Sequence, residues 1–499
     1  MSAYPLLEDH FRRIAHLEHV GAITRWDEAA MMPVGGGGAR ADAMATLSAT
    51  IHELTGDERL GPWLADAEAD NALDPWQRAN VREMRRIWET ARALPTELVG
   101  ALAGASTRCE QAWRSKRAAN DWNGIQPHLD QLLTLVRERA QLLAERKRLT
   151  PYDALLDEYE PGLTAVVVGG WFDDLKAFLP GLVDQALSSQ ARETVRVPSP
   201  PFPTENQRSL ALTFMEALGF DFAHGRLDVS HHPFCGGVPD DVRITTRYSE
   251  HSFLEALMAV LHESGHAMYE QGLPAAWRNQ PVGQTLGMAV HESQSLLMEM
   301  QACRSRAFFE FAAPLMRQAF GATAGDPTWS ADNLHRLSTR VERGLIRVDA
   351  DELTYPLHVI LRFDIEKALL AGELRTADLP EAWDAGMQSL LGLSTRDDYR
   401  DGVMQDVHWY AGLVGYFPTY TVGAMTAAQL FEAAQSAVTD LPEHIARGEF
   451  RPLLGWLREH VHGKGRLLSA RELVAEATGR PLDPAVFRRH LEARYLAAA

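Results

Sequence analysis

Apolar residues recur at three- and four-residue intervals along most of the chain, and this spacing restricts the fold more than any other feature. It is the signature of a helix with one buried face. Residues 6–23, 76–93 and 125–146 show it closely, and residues 424–495 return to it, with Glu449-Phe450-Arg451-Pro452 opening one helix. The breaks are punctuated by loop chemistry. Met32-Pro33-Val34 runs into four glycines at 35–38, and residues 197–203 hold Pro198, Pro200, Pro201 and Pro203. The proline stretch is read as an extended linker between two lobes, residues 1–200 and 201–499. With 499 residues the chain can bury a large core without disulfide or metal staples. The expected fold is mainly α, a single helical body loosely divided around a deep cleft.

One segment departs from the helical period. Between Leu227 and Tyr248, Val242-Arg243-Ile244-Thr245-Thr246 is β-branched with partial alternation, which predicts a short strand or hairpin. Such a ribbon beside a catalytic helix either offers its edge to an extended peptide or braces two helices.

Charge and cysteine content narrow the function. There are 49 Lys+Arg against 67 Asp+Glu, a formal charge of 49 − 67 = −18. A duplex-binding protein needs a basic footprint to displace counterions from phosphate, and a membrane-surface protein needs a polybasic patch. Neither is expected here. Cys109, Cys235 and Cys303 are few, odd in number and widely spaced, which fits a reducing compartment and excludes a disulfide framework or a thiolate zinc site. The first residues lack a basic stretch leading into an apolar run, and no uncharged run of about 18 apolar residues occurs. The expectation is a soluble, cytoplasmic protein with no membrane contact.

The chemistry concentrates at His262-Glu263-Ser264-Gly265-His266, an H-E-x-x-H match. On a helix this spacing puts both imidazoles on one face, one turn apart, within reach of a single ion. Glu263 sits about 100° round the helix, near enough to take a proton from an activated water. Ser252-Phe253-Leu254-Glu255 reads as a capping box ahead of an apolar stripe, and Gly272 marks the helix end. A catalytic zinc needs a third protein ligand and an open position. The next helical segment offers Glu292, within His291-Glu292-Ser293-Gln294-Ser295.

The paired His262-Glu263-x-x-His266 and His291-Glu292-Ser293-Gln294 resemble the signature of the carboxypeptidase Taq family of metallocarboxypeptidases. Four further segments match its pattern in order: His232-Pro233-Phe234, Asp241-Val242-Arg243-Ile244-Thr245, residues 346–351 from Ile346-Arg347 to Ala350-Asp351, and residues 402–409 with Gln405-Asp406 and His408-Trp409. The resemblance spans nearly the whole chain. It implies His262, His266 and Glu292 as ligands of Zn2+, with Co2+ able to substitute, and Glu263 as general base. His408 and Tyr420, with Tyr416 as runner-up, are the candidates for stabilising the oxyanion. Arg347 is the expected clamp for the substrate's free α-carboxylate, since a guanidinium can hold a carboxylate bidentately. Its alternative is an internal ion-pair hub with Asp349 and Asp351. Arg243, helped by His232 and Phe234, is a further substrate-binding candidate with an equally plain structural reading, and Gln405 and Asp406 read as supports.

The sequence departs from the family pattern at Leu297-Met298-Glu299-Met300 and at Pro356 after Tyr355. The expected activity is release of C-terminal residues from peptides with broad side-chain tolerance, by a homodimer. Two rival readings stay open at the level of sequence: an oligopeptidase cutting internal bonds, and a non-catalytic peptide-binding scaffold.

Overall fold

Helices form where local signals and long-range packing agree. The helix Pro75–Ala93 opens on a complete capping box between Asp74 and Gln77, and Trp122–Lys147 on Asp121, which accepts from the Gly124 amide. The computed structural model describes residues 3–496, which hold twenty α-helices and one three-stranded sheet. Residues 194–203 form the expected extended stretch without helix or strand. The glycine run behaves differently from the expectation: after a 3-10 turn at Val34–Gly36, Gly37 and Gly38 begin the helix Gly37–Thr55, so the loop is shorter than the glycines suggest.

The capping box expected at Ser252 is also absent. The helix carrying the H-E-x-x-H motif runs Leu254–Gln271, with Phe253 at its N-cap and no side-chain cap. Ser252 instead bridges to Ser249. The Phe253 ring packs against Phe202, Phe320 and Trp329, and this aromatic burial sets the chain's entry angle.

The ribbon is three strands, β1 (Gly225–Val229), β2 (Phe234–Val238) and β3 (Asp241–Thr246). β3 is central, parallel to β1 and antiparallel to β2, so both of its edges are taken and only β1 or β2 could receive a further strand. β2 and β3 pack on the motif helix.

Two large apolar cores flank the site. One gathers Leu129, Phe172, Phe363 and Trp409, the other Phe214, Leu261, Phe308 and Phe450. The helix Met288–Leu296, which carries Glu292, gives Ala289 to the first and Val290 to the second. The helix Pro418–Ala437 is shared in the same way, through Met425 and Leu430. Polar side chains at this seam are thus held by apolar packing on both sides.

The motif helix and the Glu292 helix meet at Gly265. A β-carbon there would lie 2.4 Å from the Gln294 carbonyl oxygen and 2.6 Å from Ser295 Cα. Overpacking of this kind costs about 1–3 kcal/mol. Gly265→Ala is therefore expected to lower the thermal midpoint, measured by thermal denaturation of the purified variant.

Candidate active site

The motif helix turns His262 and His266 toward the Glu292 helix. His262 Nε2 lies 3.9 Å from Glu292 Oε1, and His266 Nε2 lies 3.7 Å from Glu292 Oε2. One donor atom from each residue falls within 4.8 Å of the other two, the only such cluster of three among the described residues. Both Nδ1 atoms are engaged elsewhere, His262 with Glu299 Oε2 and His266 with the His291 carbonyl, each at 3.0 Å. This leaves both Nε2 atoms for the common point. Zinc–ligand distances near 2.0–2.2 Å imply donor separations of roughly 3.3–3.6 Å around a tetrahedral ion. The observed spacings are close to that range, so the donor set fits a divalent metal.

The environment polarises this group. Burial works against a charged His262, but the Glu299 contact and the charges of Glu292 and Glu263 outweigh it and raise its pKa to about 10. His266 moves the other way, held well below the ordinary range by burial and by His291 and His262. Burial lifts Glu263 to about 7. His291 supports His266 twice, with its carbonyl and with a ring stacked at 4.5 Å, and its own Nε2 lies 3.1 Å from Glu270.

The remaining predicted residues come from three segments. His408 Nε2 lies 3.2 Å from the Tyr420 hydroxyl, and the Tyr416 ring packs against both. Tyr420 is one turn before Gly423, where a β-carbon would lie 2.9 Å from Glu292 Cβ, so one helix closes on the glutamate and presents the tyrosine. Burial lowers the His408 pKa to about 4 and raises that of Tyr420. At neutral pH His408 is uncharged and Tyr420 keeps its proton.

Arg347 forms an ion-pair hub, but its partner is Asp406 rather than Asp349 or Asp351. Its Nε and one terminal nitrogen donate to Asp406 Oδ1 at 3.0 and 2.8 Å, and the other donates to the Tyr355 hydroxyl at 2.6 Å. Three of five N–H groups are used, leaving two. Gln405 accepts from the Arg347 backbone amide at 2.7 Å. Arg362 donates to the second oxygen of Asp406 at 2.7 Å. One carboxylate thus faces two guanidiniums, and the local excess is positive. Behind them, the Glu366 carboxylate accepts from Trp409 Nε1, the Tyr152 hydroxyl and the Gly415 amide, anchoring the segment that bears His408.

Arg243 and His232 lie outside this group. Arg243 is chelated by Asp241 at 2.9 and 2.7 Å, with its guanidinium 4.2 Å from the Trp26 ring centroid, which ties β3 to the N-terminal helix Tyr4–Ala30. His232 is exposed and packs against His231.

Glu299, Arg304, Tyr355 and Arg362 were not singled out as functional by sequence reasoning. A signal existed for two of them. Tyr355, His358, Arg362 and Glu366 form a polar stripe at helical spacing along the largely buried helix Tyr355–Ala371.

A large helical protein that sets two histidines of one helix and a glutamate of another around a single point, with a neighbouring glutamate on the first, is a metallopeptidase in its architecture. The chain matches the carboxypeptidase Taq (M32) metallopeptidase family over residues 6–495 and belongs to it. It is 42% identical to thermostable carboxypeptidase 1 of Thermus thermophilus, over 99% of each chain, and 34% identical to carboxypeptidase 1 of Bacillus subtilis, over 98% of this chain and 97% of the relative. Among solved structures, it superimposes on Trypanosoma cruzi metallocarboxypeptidase 1 with a TM-score of 0.97 at 41% identity, covering 99% of each. An M32 carboxypeptidase from Deinococcus radiodurans gives 0.93 at 36% identity, covering 99% of this chain and 98% of the other. The protein is a metal-dependent carboxypeptidase, and neither the oligopeptidase nor the scaffold reading is favoured. No helix among the described residues is long and apolar enough to cross a membrane.

The Glu292 helix is capped from a distance. Its Ala289 amide donates to Glu160 Oε2 at 2.7 Å, and Gly287 leaves room for that carboxylate. Burial raises the Glu160 pKa to about 7. The folded state therefore holds this proton at pH values where the unfolded chain, with an ordinary carboxyl near 4.3, has released it. Its contribution to stability accordingly falls as pH rises from the unfolded value through about 7. Between pH 5.5 and 8 the wild type is expected to lose about 2 kcal/mol relative to Glu160→Gln, measured by chemical denaturation at both pH values.

Proposed function

We propose that the protein releases single C-terminal residues from peptides with a free α-carboxylate, using one Zn2+ held by His262, His266 and Glu292, with Glu263 as general base. The convergence of His262 Nε2, His266 Nε2 and the Glu292 carboxylate carries this reading. Two imidazoles and one carboxylate suit zinc, and Co2+ accepts the same donors. A divalent ion bound there supplies Lewis acidity, polarising the scissile carbonyl and lowering the pKa of the attacking water.

Glu263 takes the proton from that water and returns it to the leaving amine. Tyr420 donates to the oxyanion, with His408 holding its hydroxyl in place at 3.2 Å and Tyr416 as the second donor. Arg347 receives the substrate carboxylate on its two free N–H groups, oriented by Asp406 and walled by the rings of Tyr355, Phe417 and Tyr420. Arg243 of β3, the strand packed on the motif helix, and His232, just before β2, are the ribbon's proposed contacts to the substrate. The working form is a homodimer in a reducing cytoplasm, consistent with three free cysteines, and its side-chain preference is broad.

Two variants test the assignment. Glu263→Gln is expected to keep one zinc per chain while kcat falls about 10²–10⁴-fold. Arg347→Lys keeps a charge beside Asp406 but lacks the planar fork. Its kcat/KM on free-acid peptides is expected to fall at least about tenfold, with no change on the matching peptide amides. If the wild type cleaves acids and amides equally well, the carboxylate clamp is wrong.

A further inference from the structure

The contact that orients His262 is made from an unusual turn. Residues Leu297–Ala302 continue the Glu292 helix as a single π-helical segment. From this turn Glu299 places Oε2 against His262 Nδ1 at 3.0 Å and accepts from Arg304 at 2.8 Å through its other oxygen. A π turn carries one extra residue relative to an α-helix, so relaxation to regular helix rotates the residues beyond it by about 100°. Glu299 sits inside this segment, so the same rearrangement would shift it from its place against His262. The turn needs an external hold.

That hold comes from the far end of the chain. Arg494, on the C-terminal helix Pro484–Tyr495, donates to the Met300 carbonyl at 2.5 Å and the Gln301 carbonyl at 3.3 Å, both within the π turn. Arg494 is itself fixed by the buried Glu352, which it meets at 2.9 Å. The same carboxylate is approached by His490 at 2.8 Å, the Tyr495 hydroxyl at 3.2 Å and the Gln301 side-chain amide at 3.2 Å. Three of its four partners lie on the C-terminal helix and the fourth on the π turn.

We propose that the C-terminal helix is a positioning element of the metal centre: Arg494, anchored by Glu352, holds the 297–302 turn in its wide form and so keeps Glu299 on His262. The proposal rests on the reading of His262 as a metal ligand. Arg494 touches neither metal nor substrate.

The test is zinc affinity of the full-length protein, measured by competition with a chromogenic zinc chelator, with the thermal midpoint of each zinc-free variant measured in parallel. Arg494→Ala is expected to weaken zinc binding about tenfold, as loss of a partner that orients a ligand does. Arg494→Lys should recover part of the loss. In a Glu299→Ala background, Arg494→Ala should add nothing further, because the route through Glu299 is already cut. Unchanged affinity with a lowered midpoint would reduce the helix to a purely structural role and overturn the proposal. A full additional loss in the Glu299→Ala background would overturn the route. Glu352→Gln carries the same comparison, judged by the same outcomes, where Arg494→Ala does not fold. A wild type that binds no stoichiometric zinc refutes the metal reading itself, whereas one zinc per wild-type chain with an equally tight Arg494→Ala refutes only the proposal.

Discussion

Two helices pass each other at Gly265 with no space for a β-carbon, and the metal donors can share one point only because they do. The sequence around that contact consists of small, internally satisfied residues. Ser264 and Ser293 are fully buried and return their hydroxyls to the Val260 and Val290 carbonyls of their own helices. Gln294 is pinned by His462 Nε2 at 3.0 Å, and Gly423 lets a third helix press on Glu292 from another side. Displacing any of these backbones by the width of a methyl group would exceed the tolerance of a metal site, which is a few tenths of an ångström.

The second constraint is electrostatic. Buried ion pairs contribute little net stability, because desolvation offsets their attraction. Their value here is directional. Asp406 shared between Arg347 and Arg362 fixes both guanidiniums and leaves the floor of the site with surplus positive charge. The whole chain carries −18, so this floor is a local positive focus within an acidic body. The acidic surplus fits a role in solubility, while on the proposed reading recognition of an anionic chain end falls to the focus. Glu366 performs a similar positioning task beneath the His408 segment, with three donors on one buried carboxylate.

Much of this was legible in the sequence, because the informative spacings are short. Four residues on a helix suffice to place His262 and His266 on one face, and the β-branched run at 242–246 did become a strand. At Ser252 a local rule is overridden by packing, because the burial of Phe253 replaces the cap. Gly37 and Gly38 begin a helix although nothing packs against them, and no contact explains it. The sequence allows an ion-pair hub at Arg347 with Asp349 and Asp351, but the actual partner, Asp406, is 59 residues away in the chain. Glu299 and Arg494 were silent for the same reason. The meaning of Glu299 depends on a π turn, and that turn depends on a helix almost two hundred residues later, a relation no local pattern encodes.

Every role assigned above depends on His262, His266 and Glu292 holding a single metal ion. Anomalous diffraction at the zinc edge from zinc-loaded crystals tests this directly. The expected result is one strong peak per chain at about 2.0–2.2 Å from His262 Nε2, His266 Nε2 and an oxygen of Glu292. A zinc-saturated protein with its peak elsewhere, or with no peak between these three side chains, would contradict it.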